Sequence, residues 1–358
     1  MAVIDRTDAP FDLDVDDLFD QYRMMFLIRR FEDAAERQYK AARIGGYCHL
    51  SSGQEATTVG AVSALEPDDL LVTGYRCHGF ALSRGVPPEA VMAELFGRAN
   101  GCAHGRGGSM HLLDVSRGYY GGWGIVGGQM PIATGMALSL VRRGAQQAVL
   151  CELGDGAVNM GAWHESLNLA SVWKLPVVFL VINNLYGMGT SVDRASAETD
   201  LFKRAGSYRM VGERVDGDDL EQMEAATSRL LKQAREERRP AVLEAVTYRY
   251  RGHSVADAGL AYRSKEEIEE HRREDPLAAT RELLEARGVP GEGLDALQAE
   301  VEGEVETAVA FAESDAPPSV DRLAAGVYAD GSEEQFERMR PGSPFGEAEL
   351  VFAGGLGQ

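Results

Sequence analysis

The side chains in this sequence that are best suited to chemistry are Asp155 and Asn184, each of which follows a run of apolar residues. The run before Asp155 covers residues 148–153, and the run that leads to Asn184 covers residues 177–182. Both runs have the length and composition of buried parallel strands. Because ligands bind beyond the carboxyl ends of parallel strands, we expect Asp155 and Asn184 to lie side by side in one crevice.

A helix-length segment lies between these two runs. Residues 159–173 have the composition and length of a helix, and Pro176 ends the helical segment before the second run begins. The sequence therefore predicts a β-α-β unit that brings both polar ends to the same edge of a sheet.

Asp155 and Asn184 supply the kinds of oxygen that a magnesium ion prefers. Mg²⁺ takes few protein ligands and leaves its other positions to substrate phosphates and water. The backbone carbonyl of Tyr186 is predicted as a further ligand. Gly154 and Gly156 have no Cβ, so the turn brings its amides close to phosphate oxygens, and the following helix adds its positive N-terminal end. The pattern predicts a cation site for a diphosphate.

Two unrelated turns are the alternative interpretation. A Gly-Asp-Gly segment alone is more typical of a tight β-α connection, and an Asn-rich turn needs no ligand either. The second half of the pattern follows after a single crossover, which favours the ligand site.

Several segments of the chain resemble one family of enzymes. Residues 153–194, which read LGDGAVNMGAWHESLNLASVWKLPVVFLVINNLYGMGTSVDR, resemble the thiamine-diphosphate motif of the alpha subunits of the decarboxylating component of 2-oxo acid dehydrogenase complexes. The pyruvate dehydrogenase group is the most similar, and the acetoin dehydrogenase group is nearly as similar. Further matching segments begin at Gly45, Thr73, Gly97, Tyr119 and Thr247, so the resemblance covers about residues 15–315.

The resemblance implies a fold, two cofactors and a set of binding residues. The fold is an α/β thiamine-diphosphate-binding fold, with a mainly parallel sheet flanked by helices and with helical N- and C-terminal extensions. The cofactors are thiamine diphosphate and Mg²⁺. The residues predicted to bind the cofactor are Tyr75, Arg76, Gly124, Val126, Asp155, Gly156, Ala157, Asn184, Tyr186 and His253, of which Asp155, Asn184 and Tyr186 would hold the metal.

Two histidines are predicted as catalytic residues by the same resemblance. His253 lies in a polar loop, where a histidine by itself is more often solvated, and the similarity to the family's active-site loop reverses that preference. His49 matches a position that meets the substrate, where it would stabilise the carboxylate or keto oxygen of a 2-oxo acid. Tyr75 and Arg76 follow an apolar run, and an arginine at a strand end can form two bonds to phosphate oxygens instead of a surface salt bridge.

Residues 122–127 satisfy the G-x-G-x-x-G pattern of dinucleotide-binding proteins. No convincing strand is predicted before them, and the next acidic residue is Glu152, which is too far along the chain to hold a ribose. A nicotinamide site is therefore not predicted. In the resembled family this segment lies beneath the thiamine cofactor, so Gly124 and Val126 would make backbone and apolar contacts with it.

The resemblance also implies a reaction and partners. Thiamine diphosphate supplies a carbanion and an electron sink for the decarboxylation of pyruvate, and the two-carbon fragment passes to a lipoyl group on a dihydrolipoyl acyltransferase. The glutamate that activates the cofactor would belong to a separate beta subunit, in an assembly of two alpha and two beta chains. The alternatives are an acetoin or a branched-chain 2-oxo acid dehydrogenase alpha subunit, or a subunit that has lost its activity.

The loop that carries His253 suggests a docking surface. Arg249, Arg251, Arg263 and Lys265 make it locally basic, which would attract an acidic lipoyl domain, and a cluster of solvated charges is the alternative. Ser254 matches a serine that is phosphorylated in mitochondrial relatives. The second such position is Ala261 in this chain, so regulation by a dedicated kinase is not expected.

Composition restricts the remaining possibilities. A formal net charge of −20 opposes binding to nucleic acids and to anionic membranes, and the four cysteines are too widely spaced to indicate a zinc site or a disulfide framework. The sequence has no membrane-spanning apolar run, and its acidic start fits neither a signal peptide nor a transit peptide, which predicts a bacterial-type cytoplasmic protein. The predicted organisation is an arm at 1–17, a cofactor-binding domain at 18–330 and a tail at 331–358.

Overall fold

A parallel sheet organises the computed structural model, which describes residues 4–5 and 12–322 of the chain. Its strands are β1 Ile4–Asp5, β2 Leu70–Gly74, β3 Tyr119–Trp123, β4 Val149–Gly154, β5 Val177–Asn183, β8 Val211–Asp216 and β9 Ala241–Val246. They lie in the order β1-β8-β9-β5-β4-β2-β3, and every pair is parallel. The two-residue strands β6 Tyr186–Gly187 and β7 Thr190–Ser191 form a separate antiparallel hairpin.

Helices cover both faces of this sheet. They are α1 Val15–Lys40, α2 Glu55–Ser63, α3 His78–Ser83, α4 Pro88–Leu95, α5 Gln129–Arg143, α6 Gly161–Val172, α7 Val192–Ala195, α8 Leu220–Glu237, α9 Lys265–Arg272, α10 Pro276–Ala286 and α11 Gly291–Ser314. Helices α5 and α6 pack in one apolar core, and α1, α2, α4, α8 and α11 pack in the other. The predicted α/β fold with a parallel sheet flanked by helices is confirmed.

The predicted β-α-β unit is β4, α6 and β5. Both strands are almost entirely buried because alternate side chains enter the two cores: Val149, Cys151 and Leu153 face one core, and Leu150 faces the other. The strands pair directly, with Gly154 opposite Ile182. The unit therefore ends with Asp155 and Asn184 at the same edge of the sheet, as the sequence predicts.

The chain reverses its direction of travel across the sheet beside this unit. It passes outward from β2 to β3 and then returns to the other side of β2 to form β4. Such a reversal leaves a crevice between the carboxyl ends of the two strands that flank it, where open α/β sheets bind their ligands. Here β2 ends at Gly74 and β4 ends at Gly154, so the crevice opens between Tyr75 and Asp155.

The C-terminal helices follow their sequence signals. Asp275 caps α10 by accepting a hydrogen bond from the backbone N–H of Leu277 at 3.0 Å, and Pro276 occupies the first turn. The apolar stripe of α11 is buried along its whole length, through Leu294, Leu297, Val301, Val305, Ala308 and Ala312. The helical C-terminal extension is therefore confirmed.

One prediction about the glycine-rich segment at residues 122–127 is wrong. Strand β3 runs into this segment and ends at Trp123, and helix α5 begins at Gln129. The strand was missed because Tyr119–Trp123 contains two glycines and lies at the sheet edge, where little apolar surface is needed. The absence of an acidic residue before Glu152 still separates this segment from a dinucleotide site.

The described residues up to Pro317 belong to one compact unit, and residues 318–322 belong to a second. Two parts of the predicted arm at 1–17 are described. Strand β1 pairs with β8, and residues 12–17 include the start of α1 at Val15. The predicted tail at 331–358 lies outside the described residues. Within residues 12–322, every helix is too short or too polar to cross a bilayer.

The contact between α6 and β5 provides a test of this architecture. Trp163 is fully buried, and its ring meets Phe179 edge to face, with 6.3 Å between the centroids. We expect Trp163→Ala to lower the free energy of unfolding by about 3–5 kcal/mol, because it leaves a large cavity. Val172→Ala on the same helix, at a side chain that is 65 % exposed, should change it by less than about 0.5 kcal/mol. Urea unfolding of the two variants measures the difference, and equal losses would contradict the packing.

Candidate active site

A cavity lies at the carboxyl edge of the sheet and collects the ends of five strands. Residues after β2, β3, β4, β5 and β9 all contribute to it. The predicted site residues that line it are Tyr75, Arg76, Val126, Asp155, Gly156, Ala157, Asn184, Tyr186 and His253. The structure thus brings nine of the predicted residues to one place, although their assignment to a cofactor stays a prediction.

Two predicted residues, Gly124 and His49, are not among the lining residues. Gly124 lies between Trp123 and Val126, which do line the cavity. A Cβ at Gly124 would be 3.0 Å from the ring of His111, so glycine allows the close packing against that ring. The position of His49 is considered below with the other histidine.

The turns that carry the predicted metal ligands touch each other through glycines. A Cβ at Gly187 would be 3.3 Å from the Cα of Gly156, which is a tight contact, whereas a Cβ at Gly156 would be 3.5 Å from the Cα of Gly187, an ordinary van der Waals distance. The approach places Asp155, beside Gly156, close to the hairpin that begins at Tyr186. Asp155 and Asn184 both line the cavity and are only 5 % and 6 % exposed.

The orientation of Asn184 is set by its neighbours. Its Nδ2 donates to Oε1 of Gln54 at 2.9 Å, which leaves its Oδ1 as the acceptor on the other side. The guanidinium of Arg249 donates to that Oδ1 at 3.4 Å and to the carbonyl oxygen of Tyr186 at 3.2 Å. Two of the three predicted metal ligands therefore accept hydrogen bonds from the same guanidinium group in this structure.

The fit to Mg²⁺ also depends on the types of donor. Among the described residues, no group of three or more His, Cys, Asp and Glu side chains is placed to hold a metal ion. The predicted site needs no such group, because it combines the carboxylate of Asp155, the amide oxygen of Asn184 and the carbonyl of Tyr186. This donor set, which leaves most positions to phosphate and water, is the kind that Mg²⁺ accepts.

Arg76 connects the two loops that carry the predicted catalytic histidines. Its Nη1 donates to the carbonyl oxygen of Leu50 at 2.5 Å, and its Nη2 donates to that of His253 at 2.9 Å. Arg76 was predicted to bind phosphate with both arms of its guanidinium. In the structure, one N–H of each arm donates to a backbone carbonyl oxygen. The side chain still lines the cavity, and its remaining N–H groups are available to a ligand.

The histidines form a cluster with Tyr75. The ring of His49 lies 4.6 Å from the ring of Tyr75 and 5.0 Å from that of His253, measured between centroids. His253 faces the cavity, and its buried Nδ1 has no hydrogen-bond partner within the described chain. His49 is 5 % exposed and lies behind these two residues. A substrate in the cavity would therefore have to reach past Tyr75 or His253 to make the direct contact predicted for His49.

The electrostatic environment keeps both histidines neutral. Burial, followed by the charge of Arg76, lowers the pKa of His49 to about 3. Burial and the charges of Arg76 and Arg249 lower the pKa of His253 to about 4. At neutral pH each ring therefore carries one N–H donor and one acceptor nitrogen.

The lining residues that were not predicted as site residues include Gln54, Trp123, Gln129 and Glu152. Oε1 of Gln129 and Nε1 of Trp123 are buried without a hydrogen-bond partner in the described chain, so the cavity offers an unused acceptor and an unused donor. Glu152 was visible in the sequence as an acid within an otherwise apolar strand, next to the Gly-Asp-Gly turn. Such buried polar groups are expected where a polar ligand binds.

The predicted basic surface on the His253 loop is wrong for two of its four residues. Arg249 and Arg263 are only 2 % and 4 % exposed. Arg263 donates to the carbonyl oxygens of Arg249 and Arg251, at 2.5 and 2.7 Å, and so fastens the loop from inside. Arg251 pairs with Glu36 at 2.9 Å, which leaves Lys265 as the exposed basic residue of the set. The loop therefore carries little basic charge at its surface.

Comparison with known proteins identifies the family. The profile of the family described as "Dehydrogenase E1 component" matches residues 22–321. The chain belongs to this family. Membership in the dehydrogenase E1 family implies a thiamine-diphosphate-dependent 2-oxo acid dehydrogenase, in agreement with the resemblance seen in the sequence.

Three relatives show how far the similarity extends. The alpha subunit of the pyruvate dehydrogenase E1 component from Rhizobium meliloti (strain 1021) is 45 % identical over 304 residues, which cover 84 % of this chain and 87 % of the relative. The mitochondrial somatic form from Rattus norvegicus is 43 % identical, covering 88 % and 80 %. The Rickettsia typhi subunit is 42 % identical, covering 86 % and 94 %.

The clamp formed by Arg263 leads to a prediction about the whole site. Arg263→Lys keeps the charge but cannot form both bonds to the carbonyls of Arg249 and Arg251, a loss of about 2 kcal/mol or roughly 30-fold. We expect the variant to open the loop to limited proteolysis and to weaken cofactor binding by a factor of this order. Lys265→Ala, at an exposed position, is the control and should change neither property. Unchanged proteolysis in Arg263→Lys would show that the clamp is dispensable.

Glu152 leads to a prediction about pH. Burial raises its pKa to about 7, although the hydrogen bond from the Gly74 amide and the charge of Arg76 act in the opposite direction. The folded-state pKa of Glu152 lies above the usual 4.5. The contribution of the protonated carboxyl to the free energy of unfolding is therefore fully present below about pH 4.5 and is lost as the pH rises through 7. The loss is about 3 kcal/mol at pH 8.

Glu152→Gln removes the ionisation and keeps an acceptor for Gly74. We therefore expect the free energies of unfolding of the variant and the parent chain to diverge with rising pH, with the variant more stable by about 3 kcal/mol at pH 8. Urea unfolding of the isolated chain at pH 4 to 8 measures the difference. The same substitution at the exposed Glu236 is the control. A difference that does not depend on pH would contradict the assignment of a buried, titrating Glu152.

Proposed function

We propose that this chain is the alpha subunit of a pyruvate dehydrogenase E1 component. With a beta subunit it would catalyse the thiamine-diphosphate-dependent oxidative decarboxylation of pyruvate and transfer the acetyl group to the lipoyl group of a dihydrolipoyl acetyltransferase. The observation that carries this proposal is the cavity at the strand ends, which Asp155, Asn184 and Tyr186 line together. The names of the three relatives support pyruvate over acetoin or a branched-chain acid as the substrate.

The protein groups in the cavity suit a diphosphate held through a metal. We infer that Asp155, Asn184 and the Tyr186 carbonyl hold Mg²⁺, and that the amides of Gly156 and Ala157 face the phosphate oxygens. Thiamine diphosphate, when bound, would supply a nucleophilic carbon and an electron sink for decarboxylation. The remaining N–H groups of Arg76, with Tyr75, lie on the opposite side of the crevice.

The histidines provide neutral hydrogen-bonding groups beside the reacting atoms. We propose that His253 uses its free Nδ1 toward the substrate or the cofactor, and that His49 supports it from behind. Gly124 and Val126 would lie beneath the cofactor rings, where Val126 presents an apolar surface that lines the cavity. These groups would exclude water and hold the 2-oxo acid in place.

The rim of the cavity supports a partner chain. Ile125, Val126, Met160 and Met188 stand at or beside the cavity and are 76 %, 42 %, 43 % and 64 % exposed. Clustered apolar exposure of this kind marks a protein–protein interface. We propose that a beta subunit covers this rim and contributes the carboxylate that activates the cofactor, in an assembly of two alpha and two beta chains.

Three further assignments extend the proposal. We propose transfer to a lipoyl domain on the basis of the subunit type alone. The loop at residues 249–265 does not supply the basic surface that was expected from the sequence. The cytoplasmic location stays a prediction. We also retain residues 18–330 as the cofactor-binding domain, between an arm at 1–17 and a tail at 331–358.

Co-expression with the adjacent beta-like gene tests this function. We expect the pair to decarboxylate pyruvate in preference to 3-methyl-2-oxobutanoate and to show no activity with acetoin, and we expect the alpha chain alone to be inactive. Decarboxylation can be followed with an artificial electron acceptor. Turnover by this chain alone would overturn the split-site assignment, and preference for another substrate would replace pyruvate.

A variant of the metal site tests the cofactor assignment directly. Asp155→Asn keeps the shape of the side chain but removes its charge, so we expect the apparent affinity for thiamine diphosphate with Mg²⁺ to fall at least about 100-fold, or about 3 kcal/mol. Asp193→Asn, at an exposed position on α7, is the matched control. Calorimetric titration of the co-expressed pair measures both variants. Equal affinity in Asp155→Asn and the control would remove Asp155 from the metal site.

A further inference from the structure

A buried hydrogen-bond network lies behind the cavity and joins a glutamate, a histidine and a serine. Oε2 of Glu32 on α1 is 2.8 Å from Nδ1 of His78, and Nε2 of His78 is 2.8 Å from Oγ of Ser109. Glu32 and His78 are fully buried, and Ser109 is 4 % exposed. No functional role was predicted for these three residues, because they are distant from one another in sequence.

The direction of each hydrogen bond in the network follows from its ends. Oε1 of Glu32 accepts from both the backbone N–H and the hydroxyl of Ser51, at 2.8 Å each. With Glu32 as an acceptor at both oxygens, His78 donates through Nδ1–H, and its Nε2 accepts the hydroxyl hydrogen of Ser109. Oγ of Ser109 in turn accepts the backbone N–H of His49 at 3.2 Å.

The arrangement has the order of an acid-histidine-serine triad, but it cannot act as one. A nucleophilic serine must expose its oxygen to a substrate. Here the hydroxyl of Ser109 is buried, and it is occupied both as a donor to His78 and as an acceptor from His49. The network therefore has a positioning role and no nucleophilic one.

The network acts on three consecutive residues. The N–H of His49 is held by Ser109, the carbonyl of Leu50 by Arg76, and the N–H of Ser51 by Glu32. This segment places the ring of His49 against Tyr75 and His253.

The segment that follows β2 contributes residues to both the cavity and the network. Tyr75 and Arg76 line the cavity, and His78, at the start of α3, enters the network. A displacement of the segment at residues 49–51 would therefore change the position of the His49 ring, and through it the ring of His253, without moving the predicted metal ligands.

We propose that Glu32, His78 and Ser109 are positioning residues of the active site, which set the His49 ring against His253 and so determine how efficiently the 2-oxo acid is used. The proposal rests on the proposed function for the identity of the substrate. Its geometric content, the anchoring of the segment at residues 49–51, does not depend on that function. Both parts can be measured separately.

The test uses Ser109→Ala in the complex co-expressed with the beta chain. We expect kcat/KM for pyruvate to fall about 10-fold, while the affinity for thiamine diphosphate with Mg²⁺ stays unchanged. Ser166→Ala is the matched control, since Ser166 is equally buried and its hydroxyl has no hydrogen-bond partner in the described chain. The control should leave both quantities unchanged.

A double-mutant cycle separates positioning from general stability. If Ser109 acts through His49, then Ser109→Ala combined with His49→Ala should be no slower than His49→Ala alone. Multiplying effects, or an equal loss in Ser166→Ala, would overturn the proposal. If Ser109→Ala is not recovered as a folded complex, Ser109→Cys keeps the size of the side chain with a weaker hydrogen-bonding group and is measured in the same way.

Hydrogen exchange supplies a readout that needs no turnover. In Ser109→Ala the amide of His49 loses its acceptor, so we expect exchange in the peptide that contains residues 49–51 to be about 10-fold faster, with no change in the peptide that contains Asp155. Unchanged exchange at residues 49–51 would overturn the proposal. A parent complex that fails to turn over pyruvate would refute the proposed function, and the exchange result would still decide the positioning role.

Discussion

Parallel pairing of neighbouring strands is the constraint on which the rest of this structure depends. Strands β2, β4, β5 and β9 run in the same direction, so the polar residues that follow each of them meet at one edge. The ladder also sets distances along that edge, because Gly154 lies opposite Ile182 and Asn183 lies opposite Val246. A slip by one residue would exchange the two faces of a strand, displace the polar residue at its end and so remove the site.

The sequence predicted the elements whose stability comes from continuous apolar burial. Strand β5 differs from its predicted run by one residue at its C-terminal end, and β4 differs by one residue at each end. Such runs are predictable because they are stable only inside a sheet covered on both faces. Strand β3 was missed because an edge strand with two glycines has no such signal. The predicted cavity residues were found together because most of them directly follow a strand, and strand ends are the part of a parallel sheet that sequence patterns locate best.

The residues that sequence could not place are charged groups that are buried by tertiary contacts. Arg249 and Arg263 look like surface charges in a polar loop, yet backbone carbonyls from several segments surround them. Their burial depends on the path of the loop, which has no periodic pattern. The network of Glu32, His78 and Ser109 was missed for the same reason, since each member is ordinary in its own segment and only the fold brings them together.

Buried arginines also explain how a chain with a net charge of −20 can offer a site to an anion. Arg76 and Arg249 are paired mainly with carbonyl oxygens, so carboxylates do not neutralise their charges at the cavity. Burial, together with these charges, lowers the pKa of both His253 and His49, while burial raises the pKa of Glu152. The cavity thus holds two cationic side chains even though the whole chain is acidic. Binding of an anionic cofactor therefore depends on how precisely two loops are held by backbone hydrogen bonds, and the fold provides these through Arg76 and Arg263.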